Sequence, residues 1–194
     1  MPVSRSQILI LIVLASAMAL TRINHFAPIP DASWAIFFVA GFSLRPLLRW
    51  VFPMLMALAV VIDWLVIRGQ GLQFWQHYCI SAGYAALVPA YLVLSLGGAW
   101  LRQHLDLRAG IGQQLLHVGS ALVLSVALCH LLSQGAFYWS SANVAQPSVA
   151  GWAQNYLDWF PLYLRTTVIY VALAAAVGRA SVALRLARQQ IAAK

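Results

Sequence analysis

The chain has 194 residues, of which 62% are hydrophobic and 8% charged, with a mean hydropathy of +0.80. So few charges cannot clothe a water-soluble globule of this size, and lipid must be part of its solvent. The net charge of +8 does not describe a nucleic-acid surface, because the basic residues stand at the ends of apolar runs instead of forming one patch. The runs show no period of two and are rich in Leu and Ala, which leaves helices, not a barrel, to satisfy the backbone in lipid.

In chain order, the apolar runs predict six membrane-spanning helices in one transmembrane domain, 1–194, at 6–23, 33–48, 51–67, 78–101, 112–133 and 157–188. The first opens after Arg5. Its Ala17-Met18-Ala19 has the look of a secretory cleavage site, but the run extends through Leu20, as an uncleaved span would. It also carries Ala15 and Ala19, a small-residue pair one turn apart that suits close approach of another helix, in this chain or in a partner. The second and third spans are separated only by Arg49 and Trp50 and bracketed by Pro46 and Pro53. A tight hairpin and one broken helix both fit. Asp63 lies about one turn inside the third span, Cys79 at the mouth of the fourth, and Cys129 with His130 near the end of the fifth. A loop is expected from Gln134 to Tyr156, and Asp158 and Arg165 open the sixth span, which runs on as a basic tail.

Placing the N-terminus in the cytoplasm puts Arg5, Arg45, Arg49, Arg102, Arg108, Arg179, Arg185, Arg188 and Lys194 inside, and only Arg22, Arg68 and Arg165 outside. Cationic flanks resist translocation, so both termini are expected in the cytoplasm. The outward connections then hold His25, Pro28, Asp31, Trp75, His77, Tyr78, Phe137, Tyr138, Trp139, Trp152, Asn155 and Tyr156, whereas the inward ones are short and basic. An aromatic belt at the lipid interface explains single rings but not the accompanying amides, histidines and acids. Ionisable groups in a membrane are costly and mark a ligand site or an internal ion pair. For the latter, Asp158 with Arg165, and Asp63 with Arg165 or Arg68, are the pairs the spans suggest.

Several chemistries lack their parts. The chain contains no glutamate and four aspartates, Asp31, Asp63, Asp106 and Asp158, too few for most proton relays. It has no GxxxxGK[ST], so no ATP is bound by this chain itself. Its five histidines form no HxxxH or HExxH, and no GxSxG is present. Cys79 remains, in Trp75-Gln76-His77-Tyr78-Cys79-Ile80-Ser81-Ala82-Gly83-Tyr84. At a helix N-terminus a thiol is biased toward the thiolate, the form that ligates metals. A small buried cysteine, or a disulfide to Cys129, is the structural alternative.

A compact six-helix chain with short inward turns and a roofed outer pocket resembles the substrate-binding S components of energy-coupling factor (ECF) vitamin transporters. More narrowly, Cys79 and Tyr84, with Asn24-His25-Phe26 in the first outer loop and Ile62-Asp63-Trp64, resemble the BtuM family of solitary cobalamin transporters. This likeness implies an all-α, S-component-like bundle in the bacterial inner membrane that binds vitamin B12 on its periplasmic side, with Cys79 as axial ligand to the cobalt. It implies that His25 contacts the corrinoid or its nucleotide tail, and that Asp63 and Tyr84 bond corrin amides or orient the thiol. A broad, amide-fringed disc needs aromatic walls, and the outer connections offer Tyr78 and Trp139. Strong donation from a thiolate weakens the ligand opposite, so removal of cyanide from cyanocobalamin, with Cys79 as the reactive group, follows as a hypothesis. In S components small residues of the first helix admit the coupling subunit of an ECF module, with its ATPases, and Ala15 and Ala19 provide that spacing. Two rival readings are an S component for a flavin, thiamin or biotin-type vitamin, and a thiol-redox membrane protein using Cys79 and Cys129.

Overall fold

The computed structural model describes residues 3–23, 30–77, 80 and 82–192. These form helices α1 (Arg5–Ile23), α2 (Ser33–Ser43), α3 (Leu48–Gly69), α4 (Ala82–Ala85), α5 (Leu87–His104), α6 (Ile111–Ser140) and α7 (Val149–Ala192), with single 3-10 turns at Arg45–Leu47 and Phe74–Gln76. Among the described residues there is no strand. Five stretches are long and apolar enough to cross a membrane: Arg5–Ile23, Arg45–Gly69, Gly83–His104, Ile111–Ser140 and Val149–Ile191. Their outward faces expose Leu9, Val13, Leu116, Leu124 and Ile169, the surface expected of a membrane-embedded bundle.

The predicted second span differs most. At 11 residues α2 is only about 16 Å long, roughly half the hydrocarbon layer, and cannot cross it alone. Eight of its residues are buried, and it packs against α1, α3, α5 and α7. This is the middle of the core, with Phe37, Phe38 and Ala40 against Leu55, Leu94 and Val126. Gly41 and Gly98 make its fit with α5 possible, since a Cβ on Gly41 would run into the Ser95 carbonyl oxygen and one on Gly98 into that of Phe38. Pro46 sits in the 3-10 turn that follows α2, whereas Pro53 lies inside α3, so the chain breaks at residues 44–47, earlier than the expected separator Arg49 and Trp50, which belong to α3.

The fourth predicted span is divided. Pro89 has no N–H to give the carbonyl of Ala85, and its ring crowds that carbonyl, which weakens the helix at this turn. The chain responds with a tighter bond from Ala86 N to Gly83 O at 3.1 Å, and regular helix resumes at Leu87. The last two helices exceed their predicted bounds. α6 continues to Ser140 and α7 begins at Val149, so the expected loop from Gln134 to Tyr156 shrinks to residues 141–148. With 44 residues α7 is about 66 Å long, twice the hydrocarbon thickness, and it must project beyond the layer.

Candidate functional site

A cavity of about 810 Å³ opens at one end of the bundle, where α1, α3 and α6 finish and α2, α5 and α7 begin. The volume is near the upper end of ligand pockets, which run to about 1,000 Å³. Apolar and aromatic side chains such as Trp34, Phe137, Trp159 and Leu162 form much of its wall, with polar groups at two places.

The first polar group centres on Arg22, 5% exposed at the end of α1. Its guanidinium grips Asp63 in a fork, Nε to Oδ1 at 2.6 Å and Nη2 to Oδ2 at 2.7 Å. Nη1 donates to Asp31 Oδ2 at 3.0 Å, Ser33 Oγ at 3.1 Å and the Tyr91 hydroxyl at 3.4 Å. Tyr84 adds an O–H bond of 2.7 Å to Asp63 Oδ2. Asp31 accepts in turn from the backbone N–H and hydroxyl of Ser33, at 2.9 and 2.6 Å, which satisfies one of the free N–H groups at the start of α2. One guanidinium therefore faces two carboxylates and ties α1, α2, α3, α4 and α5 together. The planar fork is what allows a charge to be held this deep, because each carboxylate oxygen and each guanidinium nitrogen finds a partner.

The second polar group lies on the wall formed by α6 and α7. His130, 1% exposed, is boxed by Tyr156, Tyr163, Phe160 and Trp34, with ring centroids 4.6, 5.2, 6.0 and 6.0 Å away. Its Nε2 lies 3.1 Å from the Tyr156 carbonyl oxygen, and since a carbonyl only accepts, Nε2 carries the proton. One turn along α6, Gln134 donates through Nε2 to Asn155 Oδ1.

The predicted site residues fare differently. Asp63 and Tyr84 meet directly and both line the cavity. Asp63 is paired with Arg22, not with Arg165 or Arg68 as the span assignment suggests. The depth of Asp63 was legible, but the helix lying opposite was not. Arg68 rests over the Trp64 ring at 5.7 Å, and Asp158 is exposed and bonded to Gln154 at 2.7 Å, not to Arg165. Trp139 is 49% exposed, edge-on to Tyr138, and stands away from the residues that line the cavity. Ala15 and Ala19 are half-buried on the flank of the α1 stripe Leu14, Met18 and Arg22, which faces the bundle. Cys129 is a free thiol, fully buried in the core. Cys79, Tyr78 and His25 lie outside the described residues.

Arg22, Tyr91, Gln134 and the aromatic box were not singled out from the sequence. For Arg22 the signal exists: it is a cation at the outer end of an apolar run, at the depth of Asp63. Among the described residues no group of three or more His, Cys, Asp or Glu side chains is placed to hold a metal ion. No protein-family model and no curated protein matches the chain, so the reading of the site rests on its own residues.

Proposed function

We propose that this chain binds a corrinoid in the end cavity and carries it across the bacterial inner membrane, with Cys79 as axial ligand to the ligand's cobalt. The observation that carries the reading is the cavity itself. It is large and aromatic-walled, with polar groups on two sides, and His77 and Ile80, the described neighbours that flank Cys79 in sequence, both line it. A cobalt that arrives already held by its corrin needs one donor from the protein, so no cluster of protein ligands is required. In this reading the six predicted segments, α2 being the short one, lie with both termini in the cytoplasm, and the cavity end faces the periplasm. Arg5, Arg45, Arg49, Arg102 and Arg108 sit toward the opposite end of the bundle, as the positive-inside rule asks.

Of the two roles that the likeness to BtuM-type transporters implies for Asp63 and Tyr84, the bonding favours positioning. Asp63 is occupied by Arg22 and Tyr84, and the Tyr84 hydroxyl proton is committed to Asp63. Together they hold the helix turn that follows Cys79 against α3. The sulfur, as thiolate, binds cobalt and weakens the opposite ligand, which for cyanocobalamin is cyanide. The thiol-redox alternative is weakened by Cys129, whose burial leaves it out of reach of a substrate disulfide. An energising coupling subunit that docks on α1 would meet Ala15 and Ala19.

Growth tests the transport reading. A bacterial strain that requires vitamin B12 and lacks its own uptake system should grow on nanomolar cobalamin when it carries the wild-type gene and fail with Cys79→Ala at equal membrane abundance. Growth that is equal with both genes would remove the sulfur from the account, and no growth with either would remove cobalamin transport.

A further inference from the structure

Beyond the sulfur, the α6–α7 wall carries hydrogen-bonding capacity that the protein itself leaves unused. With Nε2–H committed to the Tyr156 carbonyl, the neutral imidazole of His130 presents Nδ1 as a lone-pair acceptor, and among the described residues no hydrogen bond reaches it. Gln134 Oε1 is buried without a partner, while its amide N–H₂ donates to Asn155. The two residues are four apart on α6, hence on one face, and both line the cavity. A buried acceptor left unmet is costly, so a wall that keeps Gln134 Oε1 without a donor, one turn from the unbonded Nδ1 of His130, is suited to a donor from outside the chain. Both acceptors are neutral, and the cavity's carboxylates Asp31 and Asp63 belong to the Arg22 group on the other side. An ammonium or guanidinium ligand would find no counter-charge on this wall, whereas a neutral N–H would.

We propose that His130 and Gln134 form a carboxamide-binding subsite, accepting N–H groups from the rim of the ligand while Tyr156 and Tyr163 wall it laterally. The inference rests on the corrinoid reading, since a corrin rim is fringed with such amides, and it assigns one sector of that rim to α6. The Tyr156 carbonyl acts as a positioning group, fixing the tautomer that keeps Nδ1 an acceptor.

The test compares two corrinoids with the same dicyano cobalt: dicyanocobinamide, whose rim bears amides, and the heptamethyl ester of dicyanocobyrinic acid, whose rim bears esters and no N–H. Purified wild-type protein should bind the amide form at least tenfold more tightly. His130→Phe, which keeps a ring in the box, and Gln134→Leu should each weaken the amide form about tenfold and leave the ester form unchanged. The unchanged ester affinity also reports that the variant is folded. Loss of both ligands in equal measure, or of neither, overturns the subsite in favour of a packing role. Equal affinity of wild type for the two corrinoids overturns it without any variant. Wild type that binds neither corrinoid overturns the transport reading, and the subsite with it.

Discussion

Arg22 is the residue on which the cavity end depends most. Its fork to Asp63 and its third bond to Asp31 bury a charge that is tolerable only while all partners are present. Arg22→Leu is expected to destabilise the protein by about 3–5 kcal/mol, read as a fall in detergent-solubilised thermal midpoint, because it strands two carboxylates. The double variant Arg22→Leu with Asp63→Leu should recover part of that loss, and Arg22→Lys, which keeps the charge but loses the fork, should fall between. Equal damage from single and double variants would show that the pair is not coupled. Tyr84→Phe removes one bond to a carboxylate and should cost about 1.5–3 kcal/mol, with little change in secondary structure by circular dichroism. At this scale the sequence showed which residues are expensive but not whom they meet. Asp63 stood out as an acid inside an apolar run, and Tyr84 through a resemblance. Arg22, the partner of Asp63, lies 41 residues upstream of it, and nothing in an apolar helix states which neighbour it faces.

Among the elements, α2 and the α4–α5 junction decide where the cavity forms. α2 is short because it need not reach lipid on either side, being enclosed by α1, α3, α5 and α7. Its contact with α5 is backbone against backbone at Gly41 and Gly98, and no rotamer change relieves a clash of that kind. Gly98→Val is therefore expected to cost more than the about 1–3 kcal/mol of ordinary overpacking, and to show as loss of a monodisperse peak in size-exclusion chromatography. A stable Gly98→Val protein would mean that α2 and α5 are not in such close contact. Helix existence was readable from length and hydropathy, yet the ends of α6 and α7 were not. Residues 134–140 and 149–156 mix amides, aromatics and small residues, a composition that resembles a loop when lipid is assumed to surround every helix. They remain helical because their polar side chains turn to the cavity and to each other, as Gln134 and Asn155 do. The break before α5 coincides with Pro89, whose missing N–H falls one turn after Ala85, but Pro53 and Pro161 sit inside unbroken helices, so a proline alone did not mark it.

The whole molecule has two unlike ends. One gathers arginines around the short turns near residues 45–49 and 102–108, and the other holds the cavity and the Arg22 cluster. If the basic end faces the cytoplasm, a fluorescent protein fused after Lys194 should fluoresce in cells, and alkaline phosphatase inserted in the 141–148 connection should be active. The reverse pattern would place the cavity in the cytoplasm and make the chain unfit for uptake. The proposed sulfur–cobalt bond would form inside this cavity, and the visible spectrum of the corrin reports it most directly. Titrating cyanocobalamin into the purified protein should shift its absorption bands as the axial ligand changes, and Cys79→Ala should leave the spectrum that of the free vitamin. An identical shift with Cys79→Ala, or none with wild type, would contradict the claim.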